Sequence, residues 1–254
     1  MFRLIAFLGL LACAAAAAQP VAEIAPGGKL RAAINYGNAV LASRDANGQP
    51  QGVSVDLARA LGARIGVPVE LVTFDSAGKV SSSVAQWDIA FLAVDPARAT
   101  EIAFTAPYVI IEGAYLVPAT SPIKSNDEVD RAGGRIVVGA GSAYDLFLSR
   151  EIKAATLVRA PTSPLVVDTM VAQGLDVAAG VKQQLEADAK RVPNVRLLPG
   201  RFMVINQAMG VPQGRPAAAA YVKQFVEDVK ASGFVAESLK RHRIEGAAVA
   251  PAAN

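Results

Sequence analysis

One cysteine, Cys13, and one histidine, His242, are all that 254 residues contain of the two side chains most used for thiol, proton-shuttle and metal chemistry. A lone cysteine allows no internal disulfide, so the fold must be held by its core. His242 lies near the C-terminus, which leaves no Ser-His or Cys-His pair in the body of the chain for nucleophilic catalysis. No cluster has metal-ligand spacing, and neither a G-x-S-x-G elbow nor a Walker phosphate loop occurs. Neither a metal nor a cofactor is therefore expected. Aromatics are scarce, and the single tryptophan, Trp87, precedes an apolar strand and reads as core. An excess of one charge is also missing: 25 basic residues oppose 22 acidic ones, and the basic residues are scattered. The one dense basic run, Lys240-Arg241-His242-Arg243, reads as a solvated helix end, not a nucleic-acid footprint.

What the chain has is apolar residues, 52 % of the total, enough to bury a sizeable core. Behind a single charge, Arg3, an apolar run from Leu4 to Ala18 ends at Gln19-Pro20. It is shorter than the roughly 20 residues a membrane span needs. Its small-residue end, Ala16-Ala17-Ala18, suits cleavage, so residues 1–18 read as a signal peptide. Leu10-Leu11-Ala12-Cys13 also has the outline of a lipobox, whose cysteine would become a lipidated N-terminus. Leu11 departs from the small or branched residue usual there, and the alanine run past Cys13 favours ordinary cleavage and soluble export to the periplasm. The remaining length, about 230 residues, allows one large domain or two small ones.

Strands are expected at Lys29–Ile34, Val67–Thr73 and Ile89–Val94, alternating with helical patterns such as Asp56–Ile65, whose Leu57, Leu61 and Ile65 share a face. Asp56 is placed to meet the positive end of that helix, a structural role. A second series follows at Arg135–Ala140, Thr156–Val158 and Asp176–Gly180. This βαβα punctuation predicts an α/β fold with mostly parallel sheet. Two further β-rich segments, Ile110–Val117 and Phe202–Val211, flank the second series, and helical patterns at Arg215–Val229 and Gly233–Arg243 close the chain. Residues after Gly246 read as a disordered tail.

Within the first series, WDIAFLAVDPAR (87–98) runs a buried apolar strand into Asp95-Pro96-Ala97-Arg98, delivering one arginine at a strand end. A guanidinium fork there matches a carboxylate, and open α/β sheets bind ligands outside the carboxyl ends of their strands. The bland alternative is a surface arginine closing a turn. In the second series VGAGSAYD (138–145) runs a strand into a glycine-serine turn and a helix from about Ala143. Gly141, Ser142 and Ala143 there form either an anion-binding nest or a plain helix start.

Upstream of Arg98 lies GVSVDLARALGARIGVPVEL (52–71), a glycine-led helix followed by a strand, and downstream lies FTAPYV (104–109). With the opening strand, these segments resemble the family 3 bacterial extracellular solute-binding proteins, periplasmic receptors of amino-acid ABC importers. That family runs an opening strand, a G-F-D-V-D-L-A-type helix, a Y-D-hydrophobic strand, a T-P-E-R-type turn and an F-S-x-P-Y-type segment. This chain carries versions in that order, and the likeness extends from about Pro26 to about Arg243.

The resemblance implies a type II periplasmic binding fold of two α/β lobes joined by a two-segment hinge. Lobe one would be discontinuous, residues 26–112 with 207–245, and lobe two would be 113–206. It implies a monomer that captures a small carboxylate-bearing solute by hinge closure and presents it to an inner-membrane ABC permease. Arg98 would clamp the carboxylate from lobe one and the Gly141-Ser142-Ala143 turn from lobe two. Ala93 stands where a small hydroxyl residue is usual, so a donor there would be backbone N–H. Asn35, Tyr36 and Asn38 replace the family's aromatic platform, with Asn38 where an aromatic commonly covers the ligand and Tyr36 either covering it or simply packing. Asn35, Asn38, Lys79, Tyr144 and Asp145 are lining or surface, and Asn206 and Gln207 line the site or brace the hinge. The acid that pairs with a ligand ammonium falls on Val181, so an ordinary α-amino acid is a doubtful solute. Two alternatives stay open, a cyclohexadienyl-dehydratase-like periplasmic enzyme and a ligand sensor docking to a membrane partner. The missing acid argues against the enzyme.

Overall fold

A computed structural model describes residues 20–253. The expected signal peptide, residues 1–18 with Cys13, lies outside the described residues. After a helical turn over residues 20–24, the first series comprises β1 (Leu30–Asn35), a short hairpin of β2 (Ser43–Arg44) and β3 (Pro50–Gln51), α1 (Val53–Ile65), β4 (Val69–Phe74), α2 (Ala77–Ser81), β5 (Ile89–Ala93) and α3 (Pro96–Ala99). β6 (Ile102–Pro118) leads into β7 (Arg135–Gly139), α4 (Ala143–Glu151), β8 (Thr156–Ala160), α5 (Val166–Ala172), β9 (Val177–Val181), α6 (Lys182–Arg191) and β10 (Val195–Leu197). β11 (Met203–Pro212) then precedes α7 (Pro216–Ala231), α8 (Phe234–Arg241) and β12 (Ala248–Val249). Among the described residues no helix is long and apolar enough to cross a membrane.

The main sheet runs β4-β1-β5-β11-β6-β9-β7-β8. β1 is parallel to β4 and β5, and β7 is parallel to β8 and β9, while β6 and β11 pair antiparallel with each other and with their outer neighbours. Two parallel halves, lobe one around β1 and lobe two around β7, are thus joined by two long strands. Gly113 is where β6 changes partner, facing Met203 of β11 and Val181 of β9. β11 in turn takes on β5 from Gln207 to Gly210. β5 and β9 are buried at every position, as expected of strands covered on both faces.

Helix α1 begins at Gly52, whose φ of 120° and a would-be Cβ only 2.5 Å from the Leu41 carbonyl exclude any other residue. Val53, Leu57 and Leu61 of α1 face the core. Asp56 sits in its first turn but does not cap it. Its carboxylate accepts from Ser238 Oγ at 2.7 Å and Arg241 Nη1 at 2.8 Å, with His242 Nε2 at 3.0 Å, and so fastens α8 to α1. The expected structural role therefore operates between helices. Trp87 is buried and donates its indole N–H to the Val80 carbonyl.

The tail departs from expectation. Ala248 and Val249 pair with Ile110 and Val109 of β6, and Ala250 N donates to the Tyr108 carbonyl. The reason is an open edge: β6 pairs with β9 only from Gly113 onward, so its earlier stretch offers unpaired backbone that the tail covers.

A buried carboxylate ties lobe one together. Asp88, 1 % exposed, accepts from the backbone N–H, Nε and Nη2 of Arg31 and from Nη1 of Arg215. Burial alone would raise its pKa, but the bonds from Arg31 and Arg215 hold it below the usual carboxylate range. A depressed folded pKa contributes stability that is present above the ordinary value and lost as pH falls through the folded one. Asp88→Asn is expected to destabilise the protein by about 3–5 kcal/mol at pH 7, as for a broken buried ion pair. In urea titrations the gap to the unmodified protein should narrow below about pH 4; a gap independent of pH would show that the carboxylate charge is not what matters.

Candidate ligand-binding cleft

The carboxyl ends of β1, β5, β7 and β9 open onto one cleft between the lobes, as open α/β sheets dictate. Lobe one supplies Arg98. Asp95 caps α3 by accepting from Ala97 N at 2.9 Å, and Pro96 fixes the first turn, so the chain folds back and buries Arg98 to 4 % exposure. The guanidinium donates Nη1 to the Ala93 carbonyl at 2.9 Å and, across the cleft, Nη2 to the Gly141 carbonyl at 2.8 Å. Its Nε is buried without a partner. Burial pulls the Arg98 pKa down to about 10, against the raising influence of Asp95. Neither carbonyl is anionic, so the cation has direct hydrogen bonds but no direct counter-charge.

Lobe two supplies the turn before α4. Ser142 caps that helix, its hydroxyl accepting from Asp145 N at 3.0 Å. The Gly141 N–H goes to Asp145 Oδ2 at 2.8 Å and the Ser142 N–H to the Gly139 carbonyl at 3.0 Å. In this turn only Ala143 and Tyr144 N–H, at the helix start, have no acceptor among the described residues. The lobes meet closely here. Gly141 has φ +67° and a Cβ on it would lie 2.7 Å from Gly78 Cα in lobe one. Farther out, Arg150 Nη2 of α4 donates to Asp95 Oδ2 at 2.9 Å, the same carboxylate that caps the Arg98 helix. At the crossover, Glu112 pairs with Arg201 and Lys182, which lower its pKa, the Arg201 bond most.

Between these walls lies a cavity of about 30 Å³ lined by Asn35, Asn38, Ala93, Arg98, Ser142, Ala143 and Tyr144 among the sequence candidates. Gly141 contributes its carbonyl to Arg98 instead of an N–H to the cavity. Ala93 likewise supplies an acceptor to Arg98. Tyr36 does not line the cavity; its ring lies under the Arg44 guanidinium at 4.3 Å. Asn35 shapes the wall through its Oδ1, which accepts from Gly37 N. Lys79 pairs with Asp75 at the surface, and Asp145 is consumed by Gly141 N, Ser149 and Arg159. Gln207 lines the cavity while Asn206 is exposed, as alternation along β11 requires.

Ala77, Leu92, Ser163 and Ile205 complete the wall without having been singled out in the sequence. Ser163 follows β8 and so also lies at a carboxyl strand end, the one signal that points to it. It comes close because Gly139 has no Cβ, which would otherwise fall 2.7 Å from Ser163 Oγ. Val181 ends β9, lines the cavity and opens α6 without a side-chain cap. Among the lining residues Arg98 is the one formal charge, with no carboxylate opposite it.

The sequence model of the bacterial extracellular solute-binding proteins, family 3, matches residues 30–243. No curated protein matches significantly. Among solved structures, the chain is similar to the solute receptor for L-cysteine of Neisseria gonorrhoeae, at 22 % identity and a TM-score of 0.77 over 89 % of this chain and 95 % of that one. An ancestral amino-acid-binding protein described as a precursor of cyclohexadienyl dehydratase aligns at 20 % identity and a TM-score of 0.74, over 89 % and 99 %. A histidine kinase sensor domain similar to periplasmic binding proteins aligns at 19 % and 0.75, over 87 % and 98 %.

The close approach of Gly78 and Gly141 makes a steric prediction. Gly141→Ala is expected to cost about 1–3 kcal/mol for its left-handed backbone and to hold the lobes apart, seen as a larger radius of gyration by X-ray scattering. Gly27→Ala, where a Cβ meets nothing within 4 Å, serves as the unchanged control. An unaltered scattering profile for Gly141→Ala would contradict the contact.

Proposed function

The chain belongs to the bacterial extracellular solute-binding proteins, family 3, and from this we propose that it is the periplasmic solute-binding component of an ABC importer for a small carboxylate without an ammonium group. The observation that carries the reading is Arg98, a buried cation with an unpartnered Nε on a cavity whose lining holds no acid. A carboxylate supplies the counter-charge that neutral carbonyls do not. An ammonium would enter against Val181 with no acid on the cavity to pair its charge.

Closure follows from the same geometry. An anion at Arg98 also reaches the free N–H groups of Ala143 and Tyr144 on the opposite lobe, so it binds the closed arrangement better than the open one and shifts the population toward it. Lobe one, residues 26–112 with 207–245, and lobe two, 113–206, would move about the strands β6 and β11. Export of the chain by residues 1–18, action as a monomer and docking to an inner-membrane permease complete the reading. A sensor that reports the same closure to a membrane partner is the second reading, favoured by the likeness to a histidine kinase sensor domain. Loss of solute uptake on deletion supports the importer, whereas normal uptake supports the sensor. Dehydratase chemistry finds neither an acid nor a histidine on the cavity.

Thermal-shift screening of the purified protein should show stabilisation by small carboxylates and none by standard α-amino acids; solute at 100 times its dissociation constant adds roughly 2.7 kcal/mol. Arg98→Ala is expected to weaken binding by about 2–5 kcal/mol, as for loss of a buried charge partner. Unchanged calorimetric affinity in that variant would remove Arg98 from the site. Val181→Asp places a carboxylate at the cavity and a cap on α6, and is expected to admit ammonium-bearing solutes while leaving the fold intact. Binding of α-amino acids by the unmodified protein would refute the missing-acid argument.

A further inference from the structure

Three buried polar atoms on the cleft make no well-formed hydrogen bond among the described residues: Arg98 Nε, Asn38 Oδ1 and Tyr144 Oη, the last with Ser142, Ser163 and the Gly139 backbone near enough to act on the phenol. All three belong to residues lining the central cavity, and Asn38 and Tyr144 are shared with an adjoining cavity of about 10 Å³. Tyr144 is 2 % exposed and Arg98 4 %, so water outside the cleft does not serve these two, while Asn38 is half-buried with its Oδ1 turned from solvent. Buried polar groups left unpaired are costly and therefore rare. Three on one small cavity specify what belongs there.

Each atom dictates its complement. Arg98 Nε is only a donor and takes a carboxylate oxygen. Asn38 Oδ1 is only an acceptor and takes a donor. Tyr144 Oη gives one hydrogen and accepts another. The complement is uncharged apart from the carboxylate, because no acid lines either cavity. A keto oxygen cannot donate to Asn38, and an ammonium, from which Asn38 and Tyr144 could both accept, brings a charge that no acid on either cavity pairs. A hydroxyl donates to Asn38, accepts from Tyr144 and carries no charge. Ser163, which lines both cavities beside Tyr144, adds a further neutral hydroxyl and no charge. Leu92, Val181 and Ile205 give the chain an apolar wall, and the small volume limits its length.

We infer that the solute is a short-chain hydroxycarboxylate, whose hydroxyl is read by Tyr144 and Asn38 while its carboxylate is held by Arg98. This rests on the carboxylate reading of Arg98. The test is calorimetry on the purified protein with matched three- and four-carbon acids: unsubstituted, 2-hydroxy, 3-hydroxy, 2-oxo and 2-amino. One of the hydroxy acids is expected to bind about 10–100-fold more tightly than the unsubstituted and oxo acids of its length, the discrimination a buried hydrogen-bonding site gives. Tyr144→Phe removes one oxygen and keeps the ring. It should reduce that preference to about threefold or less and leave the unsubstituted acid's affinity unchanged, and Asn38→Ala should act in the same direction.

Equal binding of hydroxy and unsubstituted acids, all lost in Arg98→Ala, would overturn this inference and leave the carboxylate reading standing. A Tyr144→Phe variant that weakens every acid equally would likewise overturn it, since that marks a structural tyrosine. Absence of binding by any acid would overturn both.

Discussion

A guanidinium almost wholly removed from water, with two neutral carbonyls and no direct carboxylate for company, is the constraint around which this cleft is organised. Moving a cation into such a place is expensive unless an opposite charge arrives. The nearest acid, Asp95, does not touch the guanidinium. It is spent on capping α3 and on Arg150, and it moderates the cost by its field alone. The local sequence makes this inevitable: an apolar strand, an aspartate cap and a proline turn leave the third helical residue pointing back into the cleft.

The rest of the architecture serves that point. Two parallel half-sheets, each with its carboxyl strand ends toward the cleft, face one another because β6 and β11 run through both. Arg98 bonds a carbonyl in lobe one and another in lobe two, and Arg150 returns the gesture by reaching Asp95. The contact to Gly141 that helps fix the arginine therefore also bears on how the lobes meet. A buried ion cluster elsewhere, Asp88 with Arg31 and Arg215, ties β1 to the strand start of β5 and to the approach of α7 within lobe one.

Much of this was legible in the residues. Strand and helix order followed from apolar periodicity, and the strand-turn-arginine unit from an apolar run ending in Asp-Pro. The lack of an acid at Val181 was equally visible. What was hidden depends on distant partners. β2 and β3 are two residues each, too short for alternation to register. Asp56 reads as a helix-start residue until α8, folded back from the far end of the chain, claims its carboxylate. The tail has no strand signature and is ordered by the open edge of β6. Ser163 enters the cleft only because Gly139 lets it approach. Tyr36 and Tyr144 look alike as candidates, and only tertiary packing sends one to Arg44 and the other to the cavity.

The central claim is that an anion is the missing partner of Arg98. Its most direct test is the side-chain Nε–H resonance of Arg98 in a 15N-labelled sample, assigned with Arg98→Lys and followed as a stabilising carboxylate is added. The account predicts a downfield shift of that one guanidinium signal that saturates with binding. A signal that stays in place while the solute demonstrably binds would contradict it.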